Sequence, residues 1–242
     1  MPREPRNLRS ARRGGRAWRR LAGARRRIRR IKASPRTYLG LAGGAALAAL
    51  LVGLPGCVGA PPKDVENACR IFEEKPDWWE AARAAEKRWG TPASVQLAII
   101  RQESSFQYDA EPPRDTVLGI PMWWRISSAY GYAQVKDETW DWYREKTGNG
   151  WADRDDFEDV SDFIGWYTDV SQRTLGIPKT DAYNQYLAYH EGQGGWTRKT
   201  YRDKPWLVRV ARKVERYAGT YRAQLAACRE RLDEKSGGWW PF

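Results

Sequence analysis

Thr91-Pro92-Ala93-Ser94-Val95-Gln96-Leu97-Ala98-Ile99-Ile100-Arg101-Gln102-Glu103-Ser104-Ser105-Phe106 is the stretch from which the rest of the chain can be read. Thr91 offers an N-cap side chain, and Pro92 suits the first helical position, where its missing N–H costs nothing. Val95, Ala98, Ile99 and Gln102 then recur on neighbouring turns, as a helix requires. Glu103 falls in the last turn. The negative end of the helix dipole and an apolar neighbourhood both disfavour an ionised carboxylate there, so Glu103 is a candidate for a carboxylic acid held protonated near neutral pH. Phe106 and the Trp and Tyr residues of the following loop are the candidate surroundings.

Working outward, the same punctuation recurs. Trp78 to Trp89 is an Ala-rich helical stretch closed by Gly90. Residues 107 to 128 read as an irregular insertion, marked by Pro112-Pro113, Gly119 and Pro121, of a length that in compact domains is usually functional or mobile. Asp137 to Thr147 reads as a helix stopped by Gly148. Asp156 caps a longer one whose Phe157, Val160, Phe163, Ile164, Tyr167 and Leu175 follow a helical period up to Gly176. Asp181 to Glu191 makes another, and the last runs from near Pro205 through Leu207, Val210, Val214, Tyr217, Tyr221 and Leu225 to about Arg231. Strand signals are scarce, so the expected fold class is all-α. The expected organisation is a basic arm with a signal or anchor segment over 1–56, an N-terminus and tether over 57–76, one helical domain over 77–231, and an aromatic tail over 232–242. The domain's roughly 155 residues suffice for one core.

Of 42 Lys and Arg and 30 Asp and Glu, residues 1–56 hold 15 basic residues and a single acid, Glu4, leaving 27 basic and 29 acidic residues for the rest. The formal charge of +12 therefore belongs to the leader, and the remainder carries a net −2. A nucleic-acid enzyme keeps its basic surface on the domain that does the work, so no nucleic-acid partner is expected for the mature domain, although an Arg-rich arm could bind one by itself. The order of the leader is that of a secretory signal: Arg25 to Arg36, then an uncharged apolar stretch from Thr37 through Leu54. Leu54-Pro55-Gly56-Cys57 resembles a bacterial lipoprotein processing box. By that resemblance Cys57 is lipidated and anchors the protein to a membrane, with Val58 favouring the periplasmic face of the outer membrane. The plainer reading is a free thiol beside a marginal membrane span. Cys69 and Cys228 remain, either as a disulfide in an oxidising compartment or as two small buried apolar residues. With one histidine and no C-x-x-C spacing, no metal site is expected.

Three segments, Glu103-Ser104-Ser105-Phe106, Gly131-Tyr132-Ala133-Gln134-Val135 and Ala188-Tyr189-His190-Glu191-Gly192, resemble in order and spacing the active-site signature of lytic transglycosylases of the lysozyme-like superfamily. The resemblance covers roughly residues 78 to 225. It implies an all-α lysozyme-like domain of the goose-type lysozyme and SLT kind, acting on peptidoglycan glycan strands without a cofactor. It also implies Glu103 as sole catalytic acid and base, Ser104, Gly131, Tyr132 and Gln134 in the substrate cleft, Tyr189 beside the carboxyl and His190 next to it. Tyr132 and Ala133 stand where the family has Leu-Met, and His190 and Glu191 where it has Asn-Ala. The implied reaction breaks the bond between N-acetylmuramic acid and N-acetylglucosamine and closes a 1,6-anhydro ring without consuming water.

Two other classes stay open. A lysozyme-type hydrolase needs a second carboxylate about 5 Å from the acid, or about 6.5 to 9.5 Å away to seat a water; Glu111, Asp115, Asp137 and Glu191 are the candidates. A peptidoglycan-binding module without turnover needs only sugar platforms, for which Trp123, Trp124, Trp151 and Trp196 are candidates, whereas Trp140, Trp166 and Tyr217 fall at core spacing. Ser127 and Ser128 suit either substrate amides or turns. Gly192-Gln193-Gly194-Gly195 lacks the strand and the Lys-Ser/Thr of a phosphate loop and suits a close backbone turn beside the cleft.

Overall fold

The computed structural model describes residues 59–117 and 120–237, with the side chains of residues 115–124 outside that description. The leader, Cys57 and the last five residues also lie outside it. The described elements are α1 (Ala68–Glu74), α2 (Pro76–Trp89), α3 (Ala93–Ser104), β1 (Arg114–Val117), β2 (Ile120–Arg125), α4 (Asp137–Thr147), α5 (Phe157–Leu175), α6 (Ala182–Arg198), a 3-10 turn (Thr200–Asp203) and α7 (Pro205–Gly237). The described fold is predominantly helical, as expected, with a single two-stranded hairpin.

Helix α3 is the axis of the domain. Every residue from Ala93 to Arg101 is buried, so the helix is enclosed on all sides and not on a single face. Enclosure requires its polar groups to find partners. Gln96 donates through Nε2 to the carbonyls of Thr91 (2.8 Å) and Ala82 (3.1 Å). Arg101 lays its guanidinium 3.6 Å over the Tyr217 ring, donates to the Tyr221 hydroxyl and pairs with Glu66. Thr91 does not cap α3. The helix starts one residue later than expected, with Pro92 at its N-cap, because the buried Thr91 hydroxyl is engaged with Thr168 Oγ1 of α5 at 2.5 Å.

Glycine sets the approach of α2 to α5. A Cβ on Gly165 would come within 2.6 Å of the Trp89 ring, so the two helices touch only because that carbon is missing. The Trp89 indole then donates to Asp162 at 2.7 Å, and the Tyr143 hydroxyl donates to the same carboxylate at 2.8 Å, tying α2, α4 and α5 together. Asp156 caps α5 by accepting from Glu158 N (2.9 Å) and Asp159 N (3.0 Å), and Gly176 closes that helix at φ 72°.

Four stretches differ from the sequence expectation. The insertion is not wholly irregular: β1 and β2 pair antiparallel, with Arg114 opposite Arg125 and Val117 opposite Ile120. The helical geometry of α6 breaks after Glu191, where the expected helix ends, at Gly192 with φ 71° and ψ 163°, but beyond this kink a second helical stretch runs on to Arg198. Helix α7 runs beyond Arg231 to Gly237, held at its end by Asp233, which accepts from the Trp79 indole at 2.9 Å. The segment read as a tether contains α1, capped by Asn67 and covalently fastened to α7 by the Cys69–Cys228 disulfide. Gln224 reinforces this join, accepting from Ala68 N (2.8 Å) and donating to the Glu66 carbonyl (3.1 Å).

Candidate active site

The C-terminal end of α3, the loop before α4, and the kinked part of α6 enclose a cavity of about 570 Å³. Glu103, Gln134, Phe163, Tyr167, Tyr189 and His190 are on its wall. Glu103 reaches it because α3 ends there: Ser105 turns the chain at φ 52° and Phe106 follows at φ 66°, fully buried, its ring 5.9 Å from that of Trp78.

Glu103 keeps one edge towards the cavity, yet the protein packed around it is dense enough for loss of hydration to govern its charge. Burial lifts its pKa from 4.5 to about 7, and a hydrogen bond from the Tyr186 hydroxyl is the one opposing influence. No cation contributes. The three phenols grouped here are neutral: burial pushes Tyr167 to about 12 and holds Tyr186 and Tyr189 well above the ordinary phenol value, the Glu103 charge adding to both of the latter. A carboxyl so placed can give up and recover a proton near neutral pH.

The second motif supplies a wall held by backbone contacts. Gln134, at φ 48° and on the cavity wall, donates through Nε2 to the carbonyls of Ala110 (2.7 Å) and Gly131 (3.0 Å). The Tyr189 hydroxyl donates to the Ala133 carbonyl at 2.6 Å, which binds the third motif to the second. Tyr189 therefore stands next to Glu103 as a neighbour and spends its hydroxyl elsewhere; Tyr186, one turn earlier on α6, is the donor to the carboxyl.

Three residues expected in the cleft are not on the cavity wall. Ser104 is buried and its hydroxyl donates back to the Ile100 carbonyl within α3 at 3.3 Å. Gly131 has a structural reason: at φ 77° its Cβ position lies 2.0 Å from the Arg154 carbonyl oxygen, so only a residue without a Cβ lets the two backbones meet. Tyr132 is a core residue, edge-on to Trp78 at 5.6 Å and to Phe157 at 5.7 Å. Arg154, to which the sequence drew no attention, clamps this loop by donating to the carbonyls of Val135 (2.8 Å) and Ser128 (3.0 Å).

His190 lines the cavity, its Nδ1 3.0 Å from Glu191 Oε1 and its ring edge-on to Trp206 at 5.2 Å. Glu191 lies on the same wall as a fixed anion. Its burial works to raise the pKa, but hydrogen bonds from Lys204, Thr200 and His190 with the Lys204 charge prevail and bring it to about 2. Of the other carboxylates considered, Glu111 pairs with Arg125 and Asp137 with Arg154, and neither is on the wall. Glu138 is on the wall and exposed. Ser127 is also there, its hydroxyl accepting from Ala129 N at 3.1 Å. Ser128 instead accepts from Asp137 N, supporting the first turn of α4. Trp151 is 97% exposed and away from the cavity, and Trp196 packs on the core.

Comparison with known families matches residues 45–228 to the model described as Transglycosylase SLT domain. No curated protein and no solved structure gives a significant match.

Proposed function

The chain belongs to the transglycosylase SLT domain family, and from that premise we propose that it is a peptidoglycan lytic transglycosylase in which Glu103 performs both proton transfers. The observation that carries this reading is the carboxyl of Glu103, desolvated to a pKa of about 7 at the wall of a cavity of about 570 Å³. Protonated Glu103 delivers its proton to the glycosidic oxygen as the bond to the muramic anomeric carbon breaks. The substrate's own acetamido oxygen stabilises the positive charge that develops, so no protein nucleophile is needed. The carboxylate left behind takes the proton from the 6-hydroxyl while that oxygen bonds to the anomeric carbon, closing the 1,6-anhydro ring and restoring the acid. No water enters.

The second carboxylates argue for this course over hydrolysis. Glu191 is held by three partners as a permanent anion, which suits it to fixing the α6 kink better than to attacking carbon or activating water. Exposed Glu138 is the remaining carboxylate on the wall. The experiment digests peptidoglycan with wild type, Glu103→Gln and Glu138→Gln and weighs the soluble products. Wild type and Glu138→Gln are expected to release muropeptides ending in 1,6-anhydro-N-acetylmuramic acid, and Glu103→Gln almost none. Reducing-end products as the main species, lost in Glu138→Gln, would make the protein a hydrolase. Absence of any product from wild type would make it a binding module.

The same proposal places the protein at the periplasmic face of the outer membrane, anchored through lipidated Cys57, on the strength of the leader pattern. A fatty-acid label incorporated by wild type and lost in Cys57→Ala is the expected result; persistence of the label would refute the anchor.

A further inference from the structure

At the other end of α3, roughly 13 Å along the helix from Glu103, lies a second cavity of about 350 Å³ that the proposed reaction does not use. The first turn of α3 opens into it. Pro92 at the N-cap brings no side-chain acceptor. The Ala93 N–H is taken by the Glu86 carboxylate, while the Ser94 N–H has no acceptor among the described residues. The Ser94 hydroxyl has no partner among them either, although the residue is only 3% exposed and lines the cavity. An open hydroxyl and N–H at the positive end of a helix make a place for an anion.

Arg222 of α7 lines the same wall and has no carboxylate partner among the described residues. Glu215 lies seven residues earlier on the same stripe of α7, roughly 10 Å away along the axis, and likewise has no cationic partner among them. Between the two, Ala218 and Gly219 keep the floor low; a Cβ added to Gly219 would meet nothing within 4 Å. Asp181, on the opposite side, is already committed, both its oxygens accepting from Asn184 at 3.0 and 2.8 Å. The cavity thus carries an anion-binding group at Ser94 and Arg222 and a cation-binding group at Glu215, whose positions on α7 are separated by roughly 10 Å along the axis, more than the span between the two charges of one amino acid.

We propose that this cavity binds a short peptide with a free carboxylate and a free ammonium, the carboxylate at Ser94 and Arg222 and the ammonium at Glu215. The choice of wall stem peptides as its source rests on the peptidoglycan reading above; the site itself rests on the cavity.

The test is isothermal titration of the full chain with three probes: the wall tripeptide L-Ala-γ-D-Glu-meso-diaminopimelate, tri-L-alanine, and acetate. The wall tripeptide is expected to bind, and Arg222→Gln and Glu215→Gln, both surface changes, are each expected to weaken it about tenfold. Binding of the wall tripeptide alone would assign the site to the substrate's stem, and binding of both tripeptides would assign it to short peptides generally; either upholds the proposal. Failure of both peptides to bind, affinities untouched by the two substitutions, or acetate binding as tightly as the peptides would overturn it. Because these probes carry no glycan, their failure leaves the Glu103 reading standing, and a failure of turnover leaves this site standing.

Discussion

Glu103 shows how a position on a helix becomes a property of a proton. The carboxyl stands at the last turn of a helix buried on all sides, and its folded-state pKa of about 7 lies above the ordinary 4.5. Below about pH 4.5 the group is neutral in both folded and unfolded chains and costs nothing; as pH rises to 7 the folded state increasingly opposes ionisation, and above that the full penalty applies. Its size is at most about 3 kcal/mol. Glu103→Gln removes the penalty. Thermal melts of wild type and variant are therefore expected to coincide near pH 4 and to separate at pH 8, with the variant melting higher. An equal difference at both values would mean that Glu103 titrates normally. Turnover should fall across the same window, since the first step needs the protonated acid.

Element boundaries were legible where a single residue type makes them. Gly90, Gly148 and Gly176 all end helices with positive φ, and Asp156 caps α5 through two N–H groups, as their side chains or lack of them dictate. The sequence was silent where distant contacts decide. The end of α7 is held by the Trp79–Asp233 bond, α1 is a seven-residue helix fastened by a bond to a residue far along the chain, and the hairpin carries two prolines in or beside its strands. In the site, the three segments named by the resemblance meet at one cavity, but the sequence did not show which of their atoms face it. Tyr186 sits one helical turn before Tyr189 and was open to discovery by that spacing; Arg154 lies in a loop with no pattern at all. Gly131 separates two reasons for glycine. Gly131→Ala must bear both a positive φ and the collision with Arg154, whereas Gly148→Ala, at φ 74° with nothing within 4 Å, bears only the first. The expected losses are about 1 kcal/mol for Gly148→Ala and at least about 2 for Gly131→Ala, with activity lost only in the latter. Equal denaturation midpoints for the two variants would show that the Arg154 contact yields.

At the scale of the whole molecule, the Cys69–Cys228 bond closes a loop with a sequence separation of 159 around almost all of the helical core. In the chain-entropy model a loop of this length is worth up to roughly 5 kcal/mol. It also decides how the domain carries mechanical load. Force applied at residue 59 and at residue 237 enters through α1 and the end of α7 and meets a covalent bond before it reaches the core. In single-molecule extension from those points, only the short segments outside the two cysteines are expected to pay out under oxidising conditions. Reduction should release the chain between the cysteines, a sequence separation of 159, for a contour gain of roughly 520 to 570 Å. Helix α3 and both cavities lie between the two cysteines, so a load carried across the two ends of the domain would strain the short segments outside the bond while leaving Glu103 in register with its cavity.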